Sequence, residues 1–172
     1  MSQVPAWFER RFAFPFGLEV WPNVCARLRG TPARLEETVR GPERERLIRK
    51  KGSAWSAQEH AGHLWDLEEL WQARVEDYVE GRDTMAVADL RNRKTDEAAH
   101  NRRPVEEILA GFRAARGRLL TRVEGLDAGL FGRAIPHPRL QTPMRLVDHL
   151  YFVAEHDDHH LARIWEMVGA GR

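Results

Sequence analysis

From Trp55 to Gly81 the chain reads WSAQEHAGHLWDLEELWQARVEDYVEG, and no other stretch limits its fold so tightly. Ser56 stands three residues before Glu59, a capping box in which the serine oxygen and the glutamate carboxylate each take up a free backbone N–H, so a helix begins there. Leu64, Leu67, Trp71, Val75 and Tyr78 then recur at the helical period and form one stripe to be buried. Gly81 supplies the stop.

The other long segments keep the same period, and strand signals are nearly absent. A first helical region spans about Leu18 to Arg40. Within it RGTPARLEE has the form of a break and restart, with Thr31 as N-cap and Pro32 at the first helical position, so a kinked first helix is expected. A third helix follows Pro104, with Ile108, Phe112, Leu119, Leu120 and Val123 on its apolar side. GRAIPHPRLQ reads as a loop, after which Thr142 and Pro143 cap a fourth helix that reaches about Val168 and is ended by Gly169. The polar connection from Arg82 to Arg103 is longer than the roughly two to eight residues usual between bundle helices, which points to a crossover or a functional loop. The expected fold is all-α, a four-helix bundle with a long crossover connection.

A length of 172 residues, 42% of them hydrophobic, suits a single domain around one core. Lys and Arg number 27 against 26 Asp and Glu, with no long block of either sign, so neither nucleic acid nor a membrane surface is an expected partner. One cysteine, Cys25, excludes an intramolecular disulfide and favours a reducing compartment. MSQVPAWFERRFAFPFG lacks the continuous apolar region of a signal peptide, and no run of about 18 apolar residues occurs. A soluble cytoplasmic protein is expected.

The stretch EHDDHHLARI, Glu155 to Ile164, carries three histidines. At about 100° per helical residue, His156 and His160 lie about 40° apart and can face one ion, whereas His159 turns about 100° away from His160. Leu146, Leu150, Val153, Leu161, Ile164 and Val168 form the apolar stripe of this helix, and His149, Phe152, His156 and His160 an adjoining line. A histidine pair at this spacing is often only a hydrogen-bonded boundary feature. His63, inside the capped second helix, makes three imidazoles, the donor set that a catalytic divalent ion with open positions needs. Bundle interiors build such sites from facing helices.

WSAQEHAGHLWDLE followed by HDDHH resembles the DinB-like superfamily, the damage-inducible and YfiT-like group of small metal-dependent helical proteins. The resemblance runs over nearly the whole chain, RGTPARL and the long second connection included. It implies a four-helix bundle in which His63, His156 and His160 hold a divalent metal ion, nickel or zinc first and iron or manganese after them, often in a homodimer. Characterised members of that family include transferases that attach bacillithiol and mycothiol-dependent maleylpyruvate isomerases. Fold transfers well along such a resemblance, and chemistry transfers poorly.

Other residues carry two readings each. Glu59 is explained by the capping box and is a catalytic candidate beside it. Asp66, three residues beyond His63, can orient an imidazole or act as a base, because ligating histidines usually donate their other nitrogen to such a group. His60 falls on the Leu64 and Leu67 stripe and reads as a core histidine. His149 is a candidate to line a pocket, as are His100, His137 and Arg139, which lie in loops where binding residues gather. Arg139 and Arg145 are cations suited to an anionic substrate group, and also to ordinary surface pairing, the commoner fate of such residues. Asp157 and Asp158 read as salt-bridged surface positions, Trp55, Trp71 and Trp165 as core, and Cys25 as a buried inert thiol.

Two functional classes follow. The first is a metal-dependent enzyme on a small-molecule substrate, with transfer of a low-molecular-weight thiol of the bacillithiol type preferred by family analogy and hydrolysis second. The second is a non-enzymatic, stress-related metal-binding or interaction module. Coordination separates them: a shell closed by a fourth protein ligand favours structure, and a side open to a pocket favours catalysis.

Overall fold

The computed structural model describes residues 4–169. Its helices are α1 (Trp21–Val39), α2 (Arg44–Leu47), α3 (Ala57–Asp66), α4 (Glu68–Glu80), α5 (Arg93–Glu97), α6 (Val105–Glu124) and α7 (Leu146–Gly169), and two short strands, β1 (Ala134–Pro136) and β2 (Pro143–Arg145), complete it. The capping box forms as expected, with Ser56 accepting from the Glu59 N–H and Glu59 accepting from the Ser56 N–H. α3 and α4 are separated only at Leu67, and the bonds from Leu67 N–H to His63 O and from Trp71 N–H to Leu67 O carry the helical ladder across it. Gly81 ends α4 in the left-handed conformation, φ 74°.

α1 packs against α6 and α7, and α3 with α4 packs against the same two helices. Ion pairs fix the directions. Glu36 with Arg113 and Arg29 with Glu124 make α1 antiparallel to α6; Arg27 with Glu155 and Arg34 with Asp158 make it parallel to α7. Glu68 with Arg116 and Glu76 with Arg122 run α4 parallel to α6. Parallel neighbours need a connection that travels back along the bundle, which is the work of residues Arg82 to Arg103. The long connection is a crossover, and it carries α5.

The apolar interior falls into two clusters. One gathers Leu28, Val75, Tyr78, Leu119, Leu150 and Val153, the other Leu35, Leu64, Phe112 and Ile164. Each long helix crosses between them with a buried polar residue: Thr31 in α1, Glu68 in α4, Arg116 in α6 and Asp157 in α7. Arg116 donates to Asp157 at 2.5 and 3.1 Å and to Glu68 at 3.0 and 2.6 Å, and Thr31 donates to Asp157 at 2.8 Å. Burial disfavours the guanidinium charge, but the two carboxylates outweigh it and hold Arg116 above its ordinary value.

The structure corrects several expectations. α1 does not break and restart at Thr31: Pro32 sits inside one continuous helix. Proline has no N–H for the Leu28 carbonyl one turn earlier, and Arg116 fills that vacancy by donating to Leu28 O at 3.2 Å. GRAIPHPRLQ is no plain loop, since Ile135 pairs with Met144 in an antiparallel hairpin whose two central side chains are buried. Thr142 and Pro143 therefore do not cap the fourth helix. α7 starts at Leu146, and Asp148 in its first turn accepts from the Arg145 N–H at 2.9 Å. Asp157 is buried rather than at the surface, whereas Asp158 pairs with Arg27 and Arg34 as expected. Trp165 is exposed, and Cys25 is half-buried, its thiol pushed up by burial. Among the described residues no helix is long and apolar enough to cross a membrane.

Candidate metal centre

One turn of α3 separates His60 from His63, so both face the same side, and one turn of α7 does the same for His156 and His160. The two helices pack antiparallel, and the ring nitrogens of His63, His156 and His160 converge. One nitrogen from each lies within 4.8 Å of the others, and all three residues are buried. His156 Nε2 and His160 Nε2 stand 3.1 Å apart. His159 does not join the group and lies against Trp7, as the helical count requires.

Hydrogen bonds outside the cluster orient it. Thr95 of α5 donates to Asp66 Oδ2 at 2.9 Å, so its oxygen must accept from His63 Nδ1 at 3.0 Å. The proton of His63 is thereby placed on Nδ1, and Nε2 presents its lone pair to the cluster. Asp66 also accepts from His100 Nε2 at 2.8 Å. The His100 ring approaches α3 where only glycine fits, because a Cβ on Gly62 would meet it at 2.3 Å. Gln58 ties the segment down, donating to the carbonyls of His100 at 2.6 Å and Arg103 at 2.9 Å. On the other side, His60 Nδ1 meets His160 Nδ1 at 2.8 Å, which leaves His160 Nε2 for the cluster.

Burial holds His60, His63, His156 and His160 neutral. His60 is pushed down to about 3 and His63 to about 4, and His156 and His160 lie well below the ordinary histidine value, each chiefly through lost hydration, which the charge of Asp66 partly offsets for His63. Neutral imidazole is the form that ligates a metal, so the donor set fits a divalent ion. For the metal-free protein the consequence is acid sensitivity. The folded values lie below the unfolded value of about 6.5, so the unfolded chain binds more protons between about pH 6.5 and 4 and stability falls as pH falls. Each fully shifted group contributes roughly 2 kcal/mol of loss between pH 6.5 and 5. Urea midpoints of chelator-treated protein should drop steeply from pH 7 to 5; a flat profile would contradict this electrostatic account.

The cluster forms part of the wall of a cavity of about 720 Å³, together with Trp7, Trp55, Trp71, Phe152, Arg74 and residues of the β1–β2 turn. Trp71 packs edge-on to His156, with ring centroids 5.5 Å apart. Two of the expected pocket residues, His137 and Arg139, reach the cavity because the hairpin carries them there. The other two do not. His149 is wholly buried behind the wall between Trp71 and Tyr78, and His100 is occupied with Asp66. Glu59 is taken by its cap and by Lys50 at 2.9 Å, and Asp66 is linked to His63 by hydrogen bonds through Thr95. Arg145 pairs with Asp148.

Sequence reasoning missed Thr95 and Arg74, and it took His60 for a core residue when it also holds His160. The signal for His60 was present, since histidines three apart on a helix share a face. Nothing local marks Thr95, a threonine in a polar connection.

Compared with known families, residues 27–164 match the model of the DinB superfamily. Among solved structures the chain is similar to YfiT from Bacillus subtilis, described as a probable metal-dependent hydrolase with an unusual four-helix bundle topology. Identity is 19%, the TM-score is 0.80, and the match covers 94% of this chain and 93% of that one. No curated protein matches by sequence.

Proposed function

We propose, from the premise that this chain belongs to the DinB superfamily, that it is a divalent-metal-dependent enzyme acting on a small molecule held in the cavity. His63, His156 and His160 are the ligands. The reading rests on one observation: three neutral imidazoles converge at the wall of a large cavity, and among the described residues no fourth His, Cys, Asp or Glu completes the group. A structural ion would be enclosed by a fourth protein ligand. Nickel or zinc suits three imidazoles, with iron or manganese behind them.

A bound divalent ion supplies Lewis acidity, which yields a nucleophile at neutral pH and polarises an electrophile. The chain does the rest. Asp66 and Thr95 hold the His63 proton away from the cluster, and His60 does the same service for His160. Trp7, Trp55, Trp71 and Phe152 exclude water around the substrate's apolar parts. Hydrolysis is the first reaction to consider, because the similar Bacillus subtilis protein carries that description; transfer of a low-molecular-weight thiol uses the same activation with sulfur in place of water. The exposed Trp165 gives α7 an apolar contact for the homodimer that the family resemblance implies. The single cysteine agrees with a cytoplasmic setting.

Elemental analysis of protein purified without chelator should find about one divalent ion per chain. Panels of esters and amides, and of thiols with electrophiles, should reveal turnover that chelation removes and nickel or zinc restores. Absence of stoichiometric metal, or turnover indifferent to chelation, would overturn the reading.

A further inference from the structure

Two arginines are buried among the described residues, and their surroundings differ sharply. Arg116 lies between two carboxylates. Arg74 has no carboxylate within ion-pair distance among the described residues, although only 2% of it is exposed. Its Nε donates to Ala86 O at 3.0 Å, its Nη1 lies 3.1 Å from Nε2 of His137, a ring whose Nδ1 already accepts the Arg139 and Leu140 N–H groups, and among the described residues no protein acceptor takes the Nη2 hydrogens. Asp77, the nearby acid whose charge it feels, is engaged by the Ala86 N–H at 2.6 Å. Arg139 stands close enough to repel it, and its own buried Nη2 also lacks a partner among the described residues.

Both arginines line the cavity of the histidine cluster. An unpaired buried cation is costly, and a second, half-buried one beside it adds to the cost unless an anion comes to them. The rim acids do not serve: Asp89 is held by Arg93 at 2.9 Å, and Glu9 lies at the exposed mouth. The Arg74 guanidinium stands 5.5 Å from the centre of the Trp71 ring, and that ring meets His156 at its edge. One indole therefore separates the cationic end of the cavity from the cluster.

We propose that Arg74 and Arg139 form a carboxylate-binding subsite, so that the substrate is a small organic acid with an apolar body whose carboxylate lies across Trp71 from its reacting atom. The inference deepens the enzymatic reading above and rests on it for the word substrate, but the anion subsite itself needs no metal. A planar fork of guanidinium donors matches the two oxygens of a carboxylate. The aromatic wall receives the rest of the molecule.

The test uses chelator-treated full-length protein, so that a carboxylate cannot be held by metal, and titrates 4-phenylbutyrate, its neutral amide and phenyl phosphate by calorimetry and tryptophan fluorescence. The acid should bind at least tenfold tighter than the amide. Arg139→Gln, at a half-buried position, should erase most of that preference without weakening the amide, and Arg74→Gln should do the same if it folds. Equal binding of acid and amide, no binding of either, or a preference that survives Arg139→Gln would overturn the proposal, and so would stronger, arginine-dependent binding of the phosphate. Metal content measured on untreated protein reports on the metal reading separately.

Discussion

Arg116→Ala should cost the fold about 3–5 kcal/mol, because it strands two buried carboxylates at once. Asp157 would keep only Thr31, Glu68 would keep nothing, and the Leu28 carbonyl freed by Pro32 would lose its donor. Glu68 is already pushed up by burial to about 7 despite the guanidinium beside it, so it has little capacity to remain ionised alone. Urea denaturation of the variant measures the loss, and a change below about 1 kcal/mol would refute it. The triple change Arg116→Met, Glu68→Met, Asp157→Leu is the informative control. Replacing a whole buried ion cluster with apolar groups is often neutral or stabilising, so much of the lost stability should return, which separates the penalty of stranded charge from any need for the network as such.

The second large effect is expected at the histidine cluster. His160→Ala removes one of the three proposed ligands and should lower metal affinity by at least a hundredfold, with turnover lost accordingly. Thr95→Val, which only releases the orientation of His63, should cost the 10- to 100-fold typical of a ligand's outer partner. The fold should survive both. Two apolar clusters of the bundle lie on either side of the polar layer, so metal-free His160→Ala should melt cooperatively, about 1–2 kcal/mol less stable than metal-free wild type. Circular dichroism melts with and without chelator, beside metal titrations, decide the matter. Collapse of helicity when wild-type protein is chelated at room temperature would make the ion a structural one and favour the non-enzymatic module.

Where the chain advertises its structure, it does so through local chemistry. The capping box and stripe of Trp55 to Gly81 locate the start of α3 and the end of α4 almost to the residue, though as one helix without the interruption at Leu67, and the four-residue spacing of His156 and His160 announces two members of the cluster. Local signals mislead when a distant partner answers them. Thr31 and Pro32 have the form of a helix start, yet Arg116 supplies what the proline withholds, so the helix continues. Thr142 and Pro143 resemble a cap, but they enter a hairpin whose strands are too short to alternate visibly. Arg74 looks like any surface arginine in a helix, and only the packing of the β1–β2 turn reveals it as buried. Asp157 is hidden for the same reason, its partner lying on α6.

The up-down-down-up arrangement also bears on biosynthesis. His60 and His160 are a hundred residues apart, and the cluster takes one imidazole from α3 and two from the last helix. Until α7 emerges, a nascent chain on the ribosome holds only one of the three proposed ligands, His63. The proposed site is thus complete only once α7 has docked, so metal loading would report that docking.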